Sequence, residues 1–411
     1  MLKGNAIVGQ SGGPTAAINA TLAGVIRGAL SAECIETIYG MRNGIEGLLK
    51  EDLVSLNEIF DSEERLQLLE QTPAAALGSC RLKLKCDGDI CQNDTFVKIF
   101  DIFKKYNIKY VFYIGGNDSM DTAAKLSQYA ALKELDIRII GVPKTIDNDL
   151  QLTDHTPGFG SAAKYVATTA REVVRDCAVY KMKAVTIIEI MGREAGWLCA
   201  ASALGRKIDG AAPDLVYTSE CRFDMEKCYQ DIARIFENKP NIVIAISEGL
   251  KTADGKYISE LNSAVGTDAF GHKQLSGAGK ALEYAIKDKF GCKVRSIELN
   301  LPQRCASHLL SMTDIEESVR VGKAAVKLAT EDKQSGVMPA FVRIGEADSY
   351  YCDIVAVPAG EVANAIKYLP LEFINADGNN VTDECLEYLA PLIQGEYPVK
   401  WENGMPKHIE I

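Results

Sequence analysis

The chain has 411 residues, of which 47% are hydrophobic and 25% charged, as expected for a globular protein of two to three domains or one elaborated doubly wound domain. Its 45 basic and 56 acidic residues give a net charge of −11, which disfavours general attraction to nucleic acid or an anionic membrane. No apolar run is long enough for a membrane helix, and the first residues lack signal-peptide features. We therefore expect a cytoplasmic protein without nucleic-acid or membrane partners.

The cysteines and histidines give no sign of a zinc site. Twelve cysteines are spread along the chain without a CxxC pair, and the four histidines lie far apart. These spacings favour reduced, separate thiols. We expect any catalysis to depend on carboxylates, lysines, arginines or a bound metal.

Six short apolar runs, rich in β-branched residues, alternate with longer helical stretches. They occupy residues 6–9, 109–114, 138–142, 184–190, 241–246 and 294–299. This alternation predicts an α/β fold with a parallel sheet and crossover helices. Each run ends in a polar or glycine-rich loop. Because ligands bind outside the carboxyl ends of parallel strands, these loops are expected to form one composite site.

The first of these loops contains Gly12 and Gly13, ahead of a helical pattern that has Pro14 at its first position. Paired glycines let backbone amides approach a phosphate closely. A tight turn between strand and helix explains them equally well, and the spacings of the two standard nucleotide-binding glycine motifs are absent.

The second loop, GGNDS, places Asp118 at a predicted helix N-terminus for which Ser119 is a plausible N-cap. A carboxylate here would suit Mg²⁺ shared with phosphate oxygens, since this ion binds few protein carboxylates and keeps other positions for substrate and water. Capping of the helix by the same side chains is an equally good interpretation.

The third loop, PKTIDND at residues 143–149, is the most informative. Asp147 and Asp149 follow a strand directly and lie beside Lys144 and Thr145. Turn formation explains the carboxylates but not the lysine. A carboxylate can act as base toward a substrate hydroxyl, while a lysine and a metal neutralise a transferring phosphoryl group.

Five motifs, GGNDS, PKTIDND, MGREAGW, ISEG and LPQR, resemble in their order and spacing the phosphofructokinase family. The lysine of PKTIDND resembles the pyrophosphate-dependent branch of that family. The resemblance extends from Ala6 to about Ala340. It implies two Rossmann-like three-layer αβα lobes with the active site in the cleft between them.

The resemblance also implies how the chain is divided between the lobes. The phosphate-donor lobe would comprise residues 1–155 and about 303–350. The fructose 6-phosphate lobe would comprise residues 156–302 and about 351–411, with an insert at 271–288 and an accessory C-terminal segment.

Roles for individual residues follow from the same resemblance. Asp147 would take the proton from the 1-hydroxyl of fructose 6-phosphate, with Asp118 and Lys144 as further catalytic residues. Pyrophosphate would contact Gly12, Gly13 and Arg81. The sugar phosphate would be bound by Thr145, Ile146, Met191, Gly192, Arg193, Glu248, Arg295, Leu301 and Arg304. The Mg²⁺ cofactor would be held by Asn117 and Asp118.

The phosphoryl donor depends on two positions, Asp118 and Lys144, at which ATP-dependent relatives have glycine. A carboxylate at 118 would lie where the α-phosphate of ATP must pass, at a cost of a few kcal/mol in a partly desolvated cleft, on the order expected for close like charges. We therefore expect pyrophosphate as donor. The products would be fructose 1,6-bisphosphate and phosphate, in a reversible reaction of glycolysis or gluconeogenesis.

Three positions depart from the family pattern. Asn117 stands where the family usually has a carboxylate, Leu301 where relatives often present a polar or aromatic group to the sugar, and Ala184 where tetrameric relatives supply an arginine to a neighbouring subunit. A homodimer or homotetramer is nevertheless expected. The open alternatives are an ATP-dependent enzyme, a non-catalytic regulatory subunit of the same fold, and acceptance of other phosphosugars such as sedoheptulose 7-phosphate.

Overall fold

A computed structural model describes residues 2–85, 88–261, 277–345 and 349–411. The strands are β1 (Gly4–Gln10), β2 (Ile35–Met41), β3 (Leu53–Ser55), β4 (Ile108–Gly115), β5 (Arg138–Pro143), β6 (Ala184–Ile190), β7 (Leu215–Tyr217), β8 (Arg222–Phe223), β9 (Asn241–Ser247), β10 (Lys251–Thr252), β11 (Lys293–Glu298), β12 (Val337–Ile344), β13 (Tyr351–Pro358), β14 (Trp401–Glu402) and β15 (Met405–Pro406). All six strands predicted from the sequence are confirmed.

The helices are α1 (Ile18–Ser31), α2 (Gly44–Leu48), α3 (Leu56–Ile59), α4 (Glu63–Gln71), α5 (Asp94–Lys105), α6 (Asn117–Leu132), α7 (Phe159–Ala178), α8 (Trp197–Ala201), α9 (Met225–Ile235), α10 (Ala278–Phe290), α11 (Met312–Thr330), α12 (Ala359–Val362) and α13 (Asp383–Leu389). The start of the predicted insert at 271–288 lies outside the described residues, and the rest falls mainly in α10. Within the described ranges, no helix has the length and apolarity needed to cross a bilayer.

The first lobe is built on a seven-stranded sheet in the order β13-β12-β5-β4-β1-β2-β3. Its five inner strands are parallel, and the edge strands β3 and β13 pair antiparallel to their neighbours. Helices α1 and α11 cover one face and α5 and α6 the other. The first pair packs closely, since a Cβ on Gly24 would come within 2.2 Å of the carbonyl oxygen of Val319.

The second lobe is built on a parallel four-stranded sheet in the order β11-β6-β9-β7. Helices α7, α8 and α13 pack on one face, and α9 and α10 on the other. Strands such as β9, NIVIAIS, are buried along their whole length, as expected when helices cover both faces. The α/β class and the two three-layer lobes predicted from the sequence are confirmed.

The C-terminal part of the chain is divided differently from the prediction. Residues 351–358 form β13 in the first sheet, so their predicted place in the second lobe is wrong. The next stretch does pack on the second lobe, through Leu369, Leu386 and Leu392. The chain then returns, and Ile411 packs against the core of the first lobe. Strand pairing and burial, rather than composition, determine these boundaries.

Two helix starts also differ from the sequence interpretation. Helix α1 begins at Ile18, not at Pro14, because the side-chain oxygen of Thr15 accepts a hydrogen bond of 3.2 Å from the N–H of Ala17 and the chain turns there first. Helix α6 has Gly116 at its N-cap, so Ser119 lies in the first turn. The Ser119 hydroxyl is hydrogen-bonded to another hydroxyl, that of Ser11.

Candidate active site

A cleft of about 420 Å³ lies between the lobes, at the carboxyl ends of β1, β4 and β5 of the first sheet and of β6 and β9 of the second. Most of the residues predicted for the site line it. These are Gly12, Gly13, Arg81, Asn117, Asp118, Lys144, Thr145, Ile146, Asp147, Met191, Arg193, Glu248 and Arg304. Loops distant in sequence thus meet at one place, as the strand order predicts.

The loop after β1 that contains Gly12 and Gly13, here called the glycine loop, contacts the side chain of Lys144. Lys144 is only 3% exposed, and its ammonium donates a hydrogen bond of 2.6 Å to the carbonyl oxygen of Gly13. Gly12 has a positive φ of 77°, and a Cβ there would lie 3.3 Å from the Lys144 nitrogen. Burial lowers the pKa of Lys144 to about 8. This value is only slightly above neutral pH, so the group is still a cation there.

Residues 144–154, here called the catalytic loop, follow β5. The N–H of Asp147 donates to the side-chain oxygen of Thr145 at 3.1 Å, and Asn148 has a positive φ of 54°. Burial raises the pKa of Asp147 to about 7, and the charges of Asp149 and Glu248 add to the shift. A carboxylate with such a pKa suits general-base chemistry near neutral pH.

Residues 191–197, here called the acceptor loop, follow β6 and form the opposite wall. The N–H of Met191 donates to the side-chain oxygen of Gln303 at 3.1 Å, and that of Gly192 donates to Glu248 at 3.4 Å. A Cβ on Gly249 would overlap the carbonyl oxygen of Arg193, at 1.6 Å. Glycine in the SEG motif therefore lets the loop after β9 touch the acceptor loop.

Five cationic side chains, those of Arg81, Lys83, Lys144, Arg193 and Arg304, line the cleft although the whole chain is acidic. Arg304 reaches across to the glycine loop, where a Cβ on Gly13 would lie 3.5 Å from its guanidinium. Burial lowers the pKa of Arg304, and the neighbouring charge of Arg81 lowers it further. Both arginines also lower the pKa of Lys144. Such concentrated positive charge is suited to ligands with several phosphate charges.

Asp118 has a partner that the sequence did not suggest. Its carboxylate forms an ion pair of 3.0 Å with Lys83, and the two side chains are 61% and 47% exposed. The charge at 118 is thus partly balanced at the mouth of the cleft. The argument that this carboxylate repels a nucleotide now applies to the pair, because an entering phosphate would meet both charges.

The residues predicted to hold a metal have a suitable set of oxygen atoms. The side-chain oxygen of Asn117 is buried and has no hydrogen-bond partner among the residues that the structure describes. Its amide nitrogen is 3.5 Å from a carboxylate oxygen of Asp149, and Asp118 lines the same cavity. An unsatisfied amide oxygen beside carboxylates fits a hard cation such as Mg²⁺.

Three predicted sugar ligands, Gly192, Arg295 and Leu301, are not among the residues that line the cleft of their own chain. Gly192 lies between two lining residues, and its N–H donates to Glu248. Arg295 lies on the edge strand β11, in register with Thr186, and lines a shallow hollow with Asp176 and Cys177. Leu301 is 52% exposed and lies outside the cleft lining. The order of the motifs predicted which loops meet at the cleft. Whether a side chain on an edge strand faces the cleft depends on how the strands are arranged in the sheet. The sugar-binding roles of Arg295 and Leu301 stay predictions.

The structure also identifies site residues that the sequence analysis missed. Gln303, within the LPQR motif, is 1% exposed and supports Met191. Lys83 lies only two residues after Arg81. The alternating basic residues Arg81, Lys83 and Lys85 were the available signal in the sequence. Ile366, which also lines the cleft, comes from the C-terminal segment, where no motif marks it.

Comparison with known proteins identifies the relatives of this chain. Residues 5–326 match the family described as phosphofructokinase. A pyrophosphate–fructose 6-phosphate 1-phosphotransferase of Halomonas elongata is 41% identical and aligns over 99% of this chain and 96% of its own. A sulfofructose kinase of Alkalicoccus urumqiensis is 32% identical over 85% of this chain and 86% of its own.

A solved structure shows the same likeness. The crystal structure of a pyrophosphate-dependent phosphofructokinase from Nitrosospira multiformis matches with a TM-score of 0.88 and 36% identity, covering 98% of this chain and 95% of that one. The similarity therefore includes both lobes and the C-terminal segment.

Proposed function

This chain belongs to the phosphofructokinase family, and we propose that it transfers a phosphoryl group from pyrophosphate to the 1-hydroxyl of fructose 6-phosphate. The products are fructose 1,6-bisphosphate and phosphate, and the reaction is reversible. The observation that carries the proposal is the buried ammonium of Lys144 at the carbonyl of Gly13, in one cleft with Asp147. A base and a desolvated cation in one cleft are what phosphoryl transfer to a hydroxyl requires.

On the acceptor side, Asp147 takes the proton from the attacking hydroxyl. A pKa raised to about 7 makes this carboxylate a stronger base than an exposed aspartate. Arg193 and Arg304 bind the charged end of the sugar phosphate, and Glu248 accepts hydrogen bonds from sugar hydroxyls. In the reverse direction Asp147 returns the proton to the departing sugar oxygen.

On the donor side, the glycine loop and Arg81 hold pyrophosphate. Lys144 stabilises the charge that develops on the leaving phosphate, and burial strengthens this interaction because little water screens it. The ion pair of Lys83 and Asp118 also lines the cleft and places a carboxylate where we expect the α-phosphate of ATP to pass. These features favour pyrophosphate over ATP, in agreement with the names of the relatives.

Mg²⁺ is the proposed cofactor, with Asn117 and Asp118 as its protein ligands. When bound, it neutralises pyrophosphate oxygens and fixes their orientation. The unsatisfied oxygen of Asn117 is the observation in favour of this site. Asn117 lies beside Asp149, with its amide nitrogen 3.5 Å from a carboxylate oxygen, and its own oxygen has no donor among the described residues.

The proposed function is tested by a coupled assay of purified enzyme with fructose 6-phosphate and either pyrophosphate or ATP. Turnover with pyrophosphate, and formation of pyrophosphate from fructose 1,6-bisphosphate and phosphate, are expected. Turnover with ATP alone would establish the ATP-dependent alternative. No turnover with either phosphoryl donor would favour the alternative of a non-catalytic regulatory subunit. Sedoheptulose 7-phosphate and sulfofructose, assayed in parallel, define the range of acceptors.

We further propose that the enzyme is a cytoplasmic homodimer or homotetramer. Arg295, implied by family resemblance to bind sugar phosphate, lies on the outer strand of the second sheet and outside the cleft of its own chain. Light scattering on the purified protein measures the assembly. A monodisperse monomer that is fully active would contradict this part of the proposal.

A further inference from the structure

Residues 366–369 lie beyond the stretch that matches the family and run past the catalytic loop. Ile366 lines the cleft, and its carbonyl oxygen accepts a hydrogen bond of 2.6 Å from the side chain of Gln151. The N–H of Lys367 donates to the carbonyl oxygen of Asp149 at 2.8 Å. The C-terminal segment therefore lies directly against the loop that carries the proposed base.

The side chain of Lys367 binds the same loop at three points. Its ammonium donates to the side-chain oxygen of Asn148 at 3.1 Å and to the carbonyl oxygens of Thr153 and Asp154 at 3.1 and 2.6 Å. An ammonium has three N–H groups, so all three are used within one loop. These hydrogen bonds join Asn148, the residue after Asp147, to Thr153 and Asp154 at the far end of the loop. They thereby fix the curvature of the loop.

The segment is attached to the acceptor loop as well. The indole N–H of Trp197 donates to the carbonyl oxygen of Lys367 at 3.2 Å, and the Lys367 ammonium lies 5.1 Å from the centre of the indole ring. One carboxylate oxygen of Glu220 accepts from the N–H groups of both Gly196 and Leu369, at 2.8 and 2.9 Å. The segment thus contacts both walls of the cleft behind the reacting groups.

We propose that Lys367 is a positioning residue for the transfer reaction, which holds the catalytic loop so that Asp147 faces the acceptor hydroxyl. The inference rests on the proposed function, since the loop must carry the base for its position to matter. Lys367 is not among the residues that line the cleft. It acts through three hydrogen bonds to the loop and through the contact with Trp197.

A positioning effect differs in its kinetics from general stabilisation of the fold. A displaced base slows the chemical step, and a misplacement of about 1 Å lowers the rate on the order of 100-fold. Binding of fructose 6-phosphate depends instead on the arginines and on the acceptor loop. The expected signature is therefore a lower kcat with little change in KM.

Another buried lysine provides a matched control. Lys164 is 6% exposed, and its ammonium donates to the carbonyl oxygens of Leu310 and Gly395 and to the carboxylate of Glu396, at 3.1, 2.6 and 3.0 Å. It holds a different part of the C-terminal segment and no residue of the catalytic loop. Lys164→Met therefore removes, elsewhere in the molecule, an ammonium that also donates three hydrogen bonds and that belongs to a more buried residue than Lys367.

The experiment compares Lys367→Met with Lys164→Met in the full-length enzyme, by steady-state kinetics and by hydrogen exchange followed by mass spectrometry. We expect Lys367→Met to lower kcat about 10- to 100-fold, with KM for fructose 6-phosphate within about threefold of wild type. Exchange should increase within residues 145–154 in this variant only. Lys367→Gln, which keeps donors at shorter reach, replaces Lys367→Met if that protein does not fold.

The inference is overturned if kcat is retained, if both lysine variants lose kcat equally, or if exchange of residues 145–154 is unchanged. A wild-type enzyme without activity would refute the proposed function instead. The exchange measurement would still show whether Lys367 orders the loop, so the two failures are distinguishable.

Discussion

The ammonium of Lys144 is hydrogen-bonded to the carbonyl oxygen of Gly13 at 2.6 Å, which joins the loop after β5 to the loop after β1. The strands that carry these loops are separated by β4 in the sheet, so the contact crosses the centre of the cleft floor. Because Asp147 is only three residues away, the donor side and the base are parts of one short loop. Substitution of Lys144 or Asp147 is therefore expected to affect catalysis more than folding.

Replacement of Asp147 by Asn should lower kcat by about 10² to 10⁴, the range expected when a general base is lost. Binding of fructose 6-phosphate should change little, because its charge is bound by the arginines. Steady-state kinetics and calorimetric binding measure the two effects separately. Asp136→Asn, at an exposed position outside the cleft, is the control and should leave both unchanged. A near-wild-type kcat in Asp147→Asn would show that another group is the base.

The donor preference should depend on the residues at 118 and 144. Asp118→Gly, alone or with Lys144→Gly, should allow measurable turnover with ATP and reduce kcat/KM for pyrophosphate. Lys83→Met removes the ion-pair partner but retains the carboxylate. If the negative charge excludes ATP, this variant should remain inactive with ATP. An unchanged donor preference in Asp118→Gly would count against exclusion by charge.

The pH profile of kcat/KM for the forward reaction should be bell-shaped. Asp147 must be ionised, and since its pKa is raised to about 7, activity should increase as the pH rises through that value. Lys144 must be protonated, and since its pKa is lowered to about 8, activity should decline above that value. Glu248→Gln removes a charge that raises the Asp147 pKa, so its acidic limb should move to lower pH. An immobile acidic limb would contradict this origin of the shift.

Metal affinity should change with the residue at 117. Asn117→Ala removes the unsatisfied oxygen and should weaken Mg²⁺ binding by at least about tenfold, as expected when a metal site is disturbed. Asn117→Asp should strengthen it, because a carboxylate is the better ligand for Mg²⁺. Calorimetric titration of Mg²⁺ into enzyme with a non-reacting pyrophosphate analogue measures both. Equal affinity in the three proteins would place the metal elsewhere.

A methyl group at position 249 should disturb the acceptor loop. Its Cβ would lie 1.6 Å from the carbonyl oxygen of Arg193, so one of the two loops must move. Gly249→Ala should raise KM for fructose 6-phosphate and lower the free energy of unfolding by about 1–3 kcal/mol, as overpacking does. In Gly360→Ala the nearest atom is 3.8 Å away, and both quantities should stay near wild type. A normal KM in Gly249→Ala would mean that the loop does not bind the sugar.

Local sequence signals were sufficient for the strands and for most of the site. Each buried strand is an uninterrupted apolar run, and the polar loop that follows it carries the chemistry, so Lys144 and Asp147 could be found without a structure. These features depend on residues adjacent in sequence, which is why pattern and composition detect them.

Features that depend on distant residues were not predictable in this way. Lys367 lies more than two hundred residues from the loop it binds, and a single lysine in a loop gives no periodic signal. The contact between Lys83 and Asp118 also joins residues that are distant in sequence and give no periodic signal. The position of Arg295 outside the cleft of its own chain was not predictable either, because it depends on the place of its strand at the edge of the sheet.

Residues near both ends of the sequence complete the core of the first lobe. Leu2 and Ile411 both pack against that core, and the guanidinium of Arg42 donates to the carbonyl oxygen of Ile411 at 3.2 Å. Residues about 400 positions apart thus belong to one hydrophobic cluster. Truncation before Ile411 should therefore uncover apolar surface of the first lobe and lower its stability, although no residue of the cleft is removed.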